Sequence, residues 1–143
     1  MNRAETRQPC LTAAELEEFL AEVFPQIEGQ LAVEEVGPMT ARLRLKVAER
    51  HLRPGGTISG PAMFLLADCA FYVAVLAMVG REPLTVTTNL NINFLRKPEA
   101  RDVTGVARIL KLGRTLAVGD VDLVQDGRTV AHATCTYALP QKR

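Results

Sequence analysis

Tryptophan is absent from this 143-residue sequence, and aromatic residues make up only 5% of it. Proteins that bind single-stranded nucleic acid stack the bases on aromatic side chains, so this composition argues against that class. The sequence also lacks an excess of charge of either sign: it has 17 basic and 16 acidic residues, and its net charge is +1. Such a chain has no strong field to attract nucleic acid or an anionic membrane surface. We therefore expect neither as a partner.

The sequence also lacks the patterns of a zinc site and of a secretory signal. Cys10, Cys69 and Cys135 are far apart, and the sequence has only two histidines. A structural zinc site needs about four such ligands, with characteristic short spacings, so we expect no metal and no cofactor. The cysteines are odd in number and two lie in apolar segments, which favours reduced thiols. The first residues lack the apolar stretch of a secretory signal, so we expect a cytoplasmic protein.

The first third of the chain predicts one short helix followed by two strands. Thr12 and Glu15 have the spacing of a capping box, and the apolar residues after them recur with a helical period until Pro25. Residues 1–10 are mostly polar and are expected to be flexible. Over residues 30–47 the period changes to two, which predicts a pair of half-buried strands.

The second half of the chain is strand-like throughout. Asp126-Gly127 is a strong hairpin sequence, and Gly113-Arg114 marks another turn. The four strands predicted from this pattern cover residues 84–95, 103–112, 115–124 and 129–139. We find no repeat, linker or low-complexity segment, and the length suits a single domain over residues 1–143.

Between these halves lies a segment, Gly60 to Val79, that is apolar along its whole length except for Asp68. Pro61 suits the first turn of a helix, and Gly80 suits its end. The length would allow a membrane span, but a carboxylate near the centre costs about 2.5–3.5 kcal/mol on insertion. We therefore predict a helix that is apolar on every side because protein surrounds it.

Asp68 is the most conspicuous candidate for chemistry. A carboxylate on a buried helix must find partners or take up a proton, and a purely structural role bonded to the backbone is the alternative. The start of the same helix, at Ser59-Gly60-Pro61, offers N–H groups to an oxygen carrying negative charge. Gly60 and Asp68 lie about 12 Å apart along the helix axis, however. A site that uses both groups on one carbonyl would need a second subunit.

Residues 51–137 resemble the PaaI-like acyl-CoA thioesterases of the hotdog superfamily. The pattern of that family is roughly N-x-x-G-x-x-H-G-G, followed by a helix with L-A-D-x-A, and this chain has R-P-G-G-T-I-S-G-P and then LADCA. The resemblance implies an α+β hotdog fold, in which a curled antiparallel sheet of about six strands wraps one long central helix and a short N-terminal helix precedes it. It also implies a homodimer, or a tetramer made of two dimers.

The resemblance further implies roles for single residues. Asp68 matches the catalytic acid, as general base or nucleophile, and Thr87 matches the residue that holds the attacking water. Gly60 of the opposite chain matches the oxyanion donor. The implied substrate is acyl-CoA, with aryl or medium-chain acyl groups among the options. The residues then expected to bind it are Arg53, Gly56, Ser59, Pro61, Arg96 and Arg114.

Three positions depart from the family pattern. Arg53 replaces an asparagine, Ser59 a histidine and Pro61 a glycine. Pro61 cannot donate an N–H group, so at most one of the two glycine donors remains. Ser59 suits a helix N-cap, and Arg53 is either a solvated loop residue or a partner for Asp68 or for an anionic group of the substrate. A non-catalytic hotdog protein that binds acyl-CoA or a small acid therefore stays open as an alternative.

Overall fold

The fold consists of one long helix packed against one antiparallel sheet, and the computed structural model describes residues 7–141. The predicted elements all form, with small shifts at their ends. Residues 1–6 of the segment predicted to be flexible lie outside the described part. The elements are α1 (Ala13–Val23), β1 (Leu31–Gly37), β2 (Thr40–Leu45), α2 (Gly60–Val79), β3 (Val86–Phe94), β4 (Val103–Leu112), β5 (Leu116–Gln125) and β6 (Arg128–Ala138), with short 3-10 turns at Pro25–Ile27 and Glu49–His51.

The six strands form a single sheet in the order β1-β2-β4-β5-β6-β3, and every neighbouring pair is antiparallel. Strand β3 follows α2 in the chain but pairs with β6, at the far edge of the sheet from β1. This arrangement confirms the predicted hotdog layout of six antiparallel strands, one long central helix and a short N-terminal helix. It also leaves β3 as an edge strand directly after the central helix.

Helix α1 begins at the predicted capping box. The Thr12 hydroxyl accepts a hydrogen bond from the Glu15 N–H, and the Glu15 carboxylate accepts one from the Thr12 N–H. Glu17 on the same helix accepts a hydrogen bond from the Val33 N–H at 2.8 Å, which ties α1 to β1. The end of α1 thereby brings Val23 and Phe24 close to the middle of α2, where they line a cavity beside Asp68.

Helix α2 forms the centre of the core. It contacts all six strands, and most of its side chains are buried. The helix is long and apolar enough to cross a membrane, but 78% of its most apolar 18-residue stretch is buried inside the fold. Pro61 lies in its first turn as predicted, and Gly80 ends it with a φ of 99°, a conformation that favours glycine. The buried surroundings explain why this helix shows no polar face.

Gly119 on β5 allows α2 to lie close to the sheet. A Cβ atom added at Gly119 would clash with the carbonyl of Arg108 on β4 and would lie 2.6 Å from the Phe71 ring on α2. At Gly105 on β4, an added Cβ would meet only side chains, with Leu66 nearest at 3.1 Å. A flexible side chain can shift, whereas a strand carbonyl in a ladder cannot, so Gly119 is the tighter constraint.

We therefore expect Gly119→Ala to lower the free energy of unfolding by about 1–3 kcal/mol or more, as overpacking of a core does. Gly105→Ala is the matched control and should cost less, because side chains can make room for its methyl group. Urea denaturation of both variants measures the difference. Equal stability losses at the two positions would contradict this account of how α2 is seated.

Candidate active site

A bulge in β3 turns Thr87 toward the inside of the fold. Thr87 pairs directly with Tyr137 on β6, and the register then shifts by one residue at Thr88. Beyond the shift, Leu90 and Ile92 are the residues packed against the core. Side chains alternate along a strand, so without the bulge Thr88 would share that inner face and Thr87 would point outward. The bulge therefore places Thr87 and Tyr137 side by side facing α2.

Both hydroxyl groups of this pair bind the same oxygen of Asp68. Thr87 Oγ1 donates to Asp68 Oδ1 at 2.7 Å, and the Tyr137 hydroxyl donates to the same atom at 2.5 Å. The Tyr137 hydroxyl also lies 2.9 Å from the backbone carbonyl oxygen of Asp68. Over residues 7–141, no hydrogen bond reaches Asp68 Oδ2 and no cationic side chain pairs with the carboxylate. One carboxylate oxygen is thus held and the other is available.

Asp68 lines a cavity of about 380 Å³, which we call the Asp68 cavity. The Tyr72 hydroxyl in its wall donates to the Pro83 carbonyl at 3.0 Å, so it is already occupied. The Thr85 hydroxyl, in contrast, is buried and has no partner within the described part of the chain. The apolar residues of the wall include Val23, Phe24, Cys69, Tyr72, Pro83 and Val86. A carboxylate beside apolar side chains in a cavity is a typical arrangement for a binding or catalytic site.

The start of α2 offers one free backbone donor. Ser59 caps the helix: its hydroxyl accepts from the Ala62 N–H at 3.2 Å and its carbonyl accepts from the Met63 N–H at 3.1 Å. Pro61 has no N–H to offer. Among the hydrogen bonds of the described residues, none uses the Gly60 N–H as donor. Gly60 is therefore the donor in the first turn that a ligand can use, while the predicted substrate residue Ser59 is engaged as the N-cap.

A second cavity, of about 430 Å³, adjoins this donor, and we call it the Gly60 cavity. The Phe94 ring at the end of β3 packs against Gly60, 3.4 Å from the position that a Cβ would occupy. Arg53, Arg96 and Lys97 also line the cavity, and no acidic residue is among its lining residues within the described chain. Arginine and lysine at such positions suit phosphate groups.

The predicted site residues thus fall into separate groups. Asp68 and Thr87 meet in one cavity, and Arg53, Gly60 and Arg96 meet in the other. Gly56, with a φ of 82°, lies in the turn that leads to α2 and lines neither cavity. Arg114 lines a third cavity, of about 610 Å³, near the end of α2, and does not join Asp68 or Gly60.

Neither histidine lies at these cavities. His51 is buried, and its Nδ1 accepts a hydrogen bond from the Ala48 N–H, so its Nε2 carries the proton that faces the Gln30 side-chain oxygen at 2.9 Å. Burial lowers the pKa of His51, which keeps the ring neutral. His132 lies 3.2 Å from Asp120, a residue of β5 that also pairs with an arginine. Both rings are thus engaged by structural partners.

The thiol beside Asp68 is not a nucleophile near neutral pH. Burial raises the pKa of Cys69 to about 12, and the negative charge of Asp68 adds to this effect. Burial likewise raises the pKa of Cys135 to about 12. Cys10, in contrast, is exposed. Because the thiolate is the reactive form of cysteine, the carboxylate of Asp68 remains the reactive group of the cavity.

A long helix laid along one antiparallel sheet defines the hotdog class of folds. The thioesterase superfamily profile matches residues 55–132, and the chain belongs to this family. The resemblance to PaaI-like thioesterases is also confirmed: a mutant PaaI phenylacetic acid degradation protein from Thermus thermophilus shares 29% identity with a TM-score of 0.73, covering 81% of this chain and 99% of its own.

Other relatives match over most of their length. A crystal structure from Silicibacter sp. TM1040, described provisionally as a thioesterase, has 51% identity and a TM-score of 0.86, covering 93% of this chain and 94% of its own. Human acyl-coenzyme A thioesterase 13 is 28% identical over 119 residues, which are 81% of this chain and 84% of the human protein. An uncharacterised Mycobacterium tuberculosis protein is 34% identical over 91 residues, but the chain spans only 31% of its length.

The thiol environments generate a direct prediction. With the aromatic disulfide reagent DTNB at pH 8, we expect the native protein to react rapidly at one of its three cysteines, Cys10, and at all three after denaturation. Cys10→Ser should abolish the rapid phase. A second rapidly reacting thiol in the native protein would show that Cys69 or Cys135 is more accessible than the structure indicates.

Proposed function

We propose that this protein is an acyl-CoA thioesterase in which Asp68 activates the attacking water. The observation that carries the proposal is the asymmetric environment of the carboxylate. Two hydroxyl groups hold Oδ1, while Oδ2 has no donor within residues 7–141 and belongs to a residue that lines the Asp68 cavity. A carboxylate in hydrogen-bonding reach of a water can act as general base, which typically accelerates a reaction by about 100- to 10,000-fold.

The proposed site requires two copies of the chain. Within residues 7–141, strand β3 pairs with β6 alone, and no strand pairs with its other edge. Thr87 lies near the beginning of β3, whereas Phe94, which packs on Gly60, lies at its end. If β3 pairs antiparallel with β3 of a second copy, the beginning of one strand lies beside the end of the other. The Asp68 cavity of one subunit then adjoins the Gly60 cavity of its partner.

The proposed reaction uses the groups of both cavities. Asp68 Oδ2 takes a proton from water, and the resulting hydroxide attacks the thioester carbon. The carbonyl oxygen becomes an oxyanion, which accepts a hydrogen bond from the N–H of Gly60 of the partner subunit at the positive end of a helix. The C–S bond then breaks, and the CoA sulfur receives the proton from Asp68. Direct attack by Asp68 as nucleophile, followed by hydrolysis of the anhydride, is the second route that the same geometry allows.

The two cavities suit the two ends of an acyl-CoA. Phe24, Tyr72 and Val86 would surround an aryl or medium-chain acyl group in the Asp68 cavity. Arg53 and Arg96 would contact CoA phosphates from the Gly60 cavity, and Arg114 stays a predicted contact at a more distant point. The proposed reaction uses no cofactor, since CoA enters as part of the substrate. We also propose a cytoplasmic location and assembly of the dimers into tetramers.

A binding function without turnover is the second candidate, and the observation that favours it is the poor donor set at the start of α2. Pro61 offers no N–H, and the Ala62 N–H already bonds to Ser59. A survey of aryl, short-chain and medium-chain acyl-CoA esters decides between the two functions. If none is hydrolysed while the esters still raise the melting temperature, the protein binds rather than cleaves them.

We expect Asp68→Asn to lower kcat by about 100- to 10,000-fold, because the amide cannot accept the proton of water. The melting temperature should change little, since Asn can still accept the hydrogen bonds from Thr87 and Tyr137. Asp122→Asn is the matched control: it removes a carboxylate from β5, away from both cavities, and should leave the rate unchanged. A rate for Asp68→Asn within tenfold of the wild type would contradict the role of Asp68.

We expect Gly60→Pro to lower kcat by about 100- to 1,000-fold, because it removes the free N–H. Ser59 already has the extended conformation that a following proline requires, with φ −76° and ψ 157°. Gly60→Ala is the matched control: it keeps the N–H, and its Cβ would meet Phe94 at an ordinary contact distance of 3.4 Å.

The same variants test whether the site is shared between subunits. A heterodimer of one Asp68→Asn chain and one Gly60→Pro chain contains one intact pair of groups if the site is composite. Purified with two different tags, it should recover about half of the wild-type rate per dimer. If the heterodimer is as inactive as the two parent variants, both groups act within one subunit or not at all.

A further inference from the structure

We infer that Tyr137 is a positioning residue for Asp68: together with Thr87, its hydroxyl holds Oδ1, so that Oδ2 is the oxygen that takes the proton. The inference rests on the proposed thioesterase function and adds to it the choice between the two carboxylate oxygens. Neither the motif around Asp68 nor the loop before α2 contains Tyr137, which lies on the last strand of the fold.

Tyr137 is held rigidly. Its side chain is 2% exposed, and its ring packs at a tilt on Phe71, with ring centres 5.4 Å apart, and is stacked with Tyr72 at 6.1 Å. On the strand ladder it pairs with Thr87 on one side and with Ala117 on the other. Packing against two aromatic rings and pairing with two neighbouring strands fix the position of the Tyr137 hydroxyl, as an accurate site requires.

Tyr137 also remains a hydrogen-bond donor. Burial raises the pKa of Tyr137 well above its ordinary range, and the negative charge of Asp68 raises it further. The phenol therefore keeps its proton throughout the pH range in which thioesterases are assayed. A phenol hydroxyl bonded to a carboxylate makes a strong, charge-assisted hydrogen bond. The same hydroxyl lies 2.9 Å from the backbone carbonyl of Asp68, which gives it a second acceptor when the carboxylate is protonated.

Among residues 7–141, no charged side chain pairs with Asp68 and could orient its carboxylate. On α2, Cys69 and Tyr72 face the same region, and on β6 Cys135 does so, all three with pKa values raised by burial. These groups are therefore uncharged near neutral pH, and Thr87 on β3 does not titrate. Within the described chain, the charge of Asp68 is stabilised by the two hydroxyl donors alone. Removing either donor should consequently destabilise the ionised form of the carboxylate.

The test compares Tyr137→Phe with Tyr72→Phe, two changes that each delete one phenol hydroxyl from the Asp68 cavity. For Tyr137→Phe we expect kcat to fall about 10- to 100-fold, as for loss of a hydrogen bond to a charged group, with little change in KM. The ionised carboxylate loses a donor, so the acid limb of the kcat/KM profile should move about one pH unit upward. For Tyr72→Phe the acid limb should stay in place, because its hydroxyl bonds to Pro83 and not to Asp68.

A second comparison uses the other donor. Thr87→Val should move the acid limb of the kcat/KM profile in the same direction as Tyr137→Phe does. Thr87→Ser keeps the hydroxyl, so its acid limb should lie where that of the wild type lies. If the acid limb and kcat of Tyr137→Phe equal those of the wild type, or if Tyr72→Phe shifts the limb equally, the positioning role is wrong. A Tyr137→Phe variant that is inactive because it unfolds is recognised by circular dichroism and is replaced by Thr87→Val, whose unmoved acid limb would equally overturn the inference.

A readout without turnover separates this inference from the proposed function. Carboxyl 13C shifts of aspartate-labelled protein are titrated with pH, and the Asp68 resonance is identified by its loss in Asp68→Asn. We expect its midpoint to lie at higher pH in Tyr137→Phe than in the wild type, even if no acyl-CoA is hydrolysed. An unchanged midpoint in a protein that hydrolyses acyl-CoA through Asp68 would reject the role of Tyr137 and leave the thioesterase proposal intact.

Discussion

The structure depends on how a single carboxylate is accommodated on an otherwise apolar central helix. Taking Asp68 out of water costs free energy unless donors replace the lost hydration. Those donors come from two neighbouring strands, as Thr87 on β3 and Tyr137 on β6, and they meet at one carboxylate oxygen. The bulge in β3 makes this meeting possible, because it turns Thr87 toward α2. No donor in the described part of the chain reaches the second oxygen of Asp68, which lines a cavity.

The same helix also separates the two groups that the proposed chemistry needs. An α-helix is rigid, so the Gly60 N–H and the Asp68 carboxylate stay about 12 Å apart along its axis in every copy. In the proposed mechanism a second chain supplies the complementary group, and the edge of β3 that has no partner strand within residues 7–141 is the proposed pairing surface. Catalysis and association are therefore linked in the proposed enzyme: the strand that contributes Thr87 is also the strand that would join the subunits.

Local sequence patterns were sufficient to predict most of the fold. The bounds of α2 follow from Pro61 and Gly80, and the last hairpin follows from Asp126-Gly127, whose φ angles are 52° and 75°. The role of Tyr137 could not be predicted, because it depends on pairing between distant strands and on a one-residue shift in β3. In the sequence, Tyr137 is one more inward residue of an alternating strand. Arg114 is expected in the site from its charge and the family resemblance, and neither specifies which cavity it lines.

The central claim is that one thioester carbonyl is bound by two subunits. The most direct measurement is a crystal structure with a ketone analogue of acyl-CoA, in which a methylene group separates the carbonyl from the sulfur. We predict that the analogue lies across a β3–β3 dimer, with its carbonyl oxygen bonded to the N–H of Gly60 of the partner subunit. Asp68 Oδ2 should lie on the other side, near a water at the carbonyl carbon. An analogue bound within one subunit, with its carbonyl away from Asp68, would contradict the account.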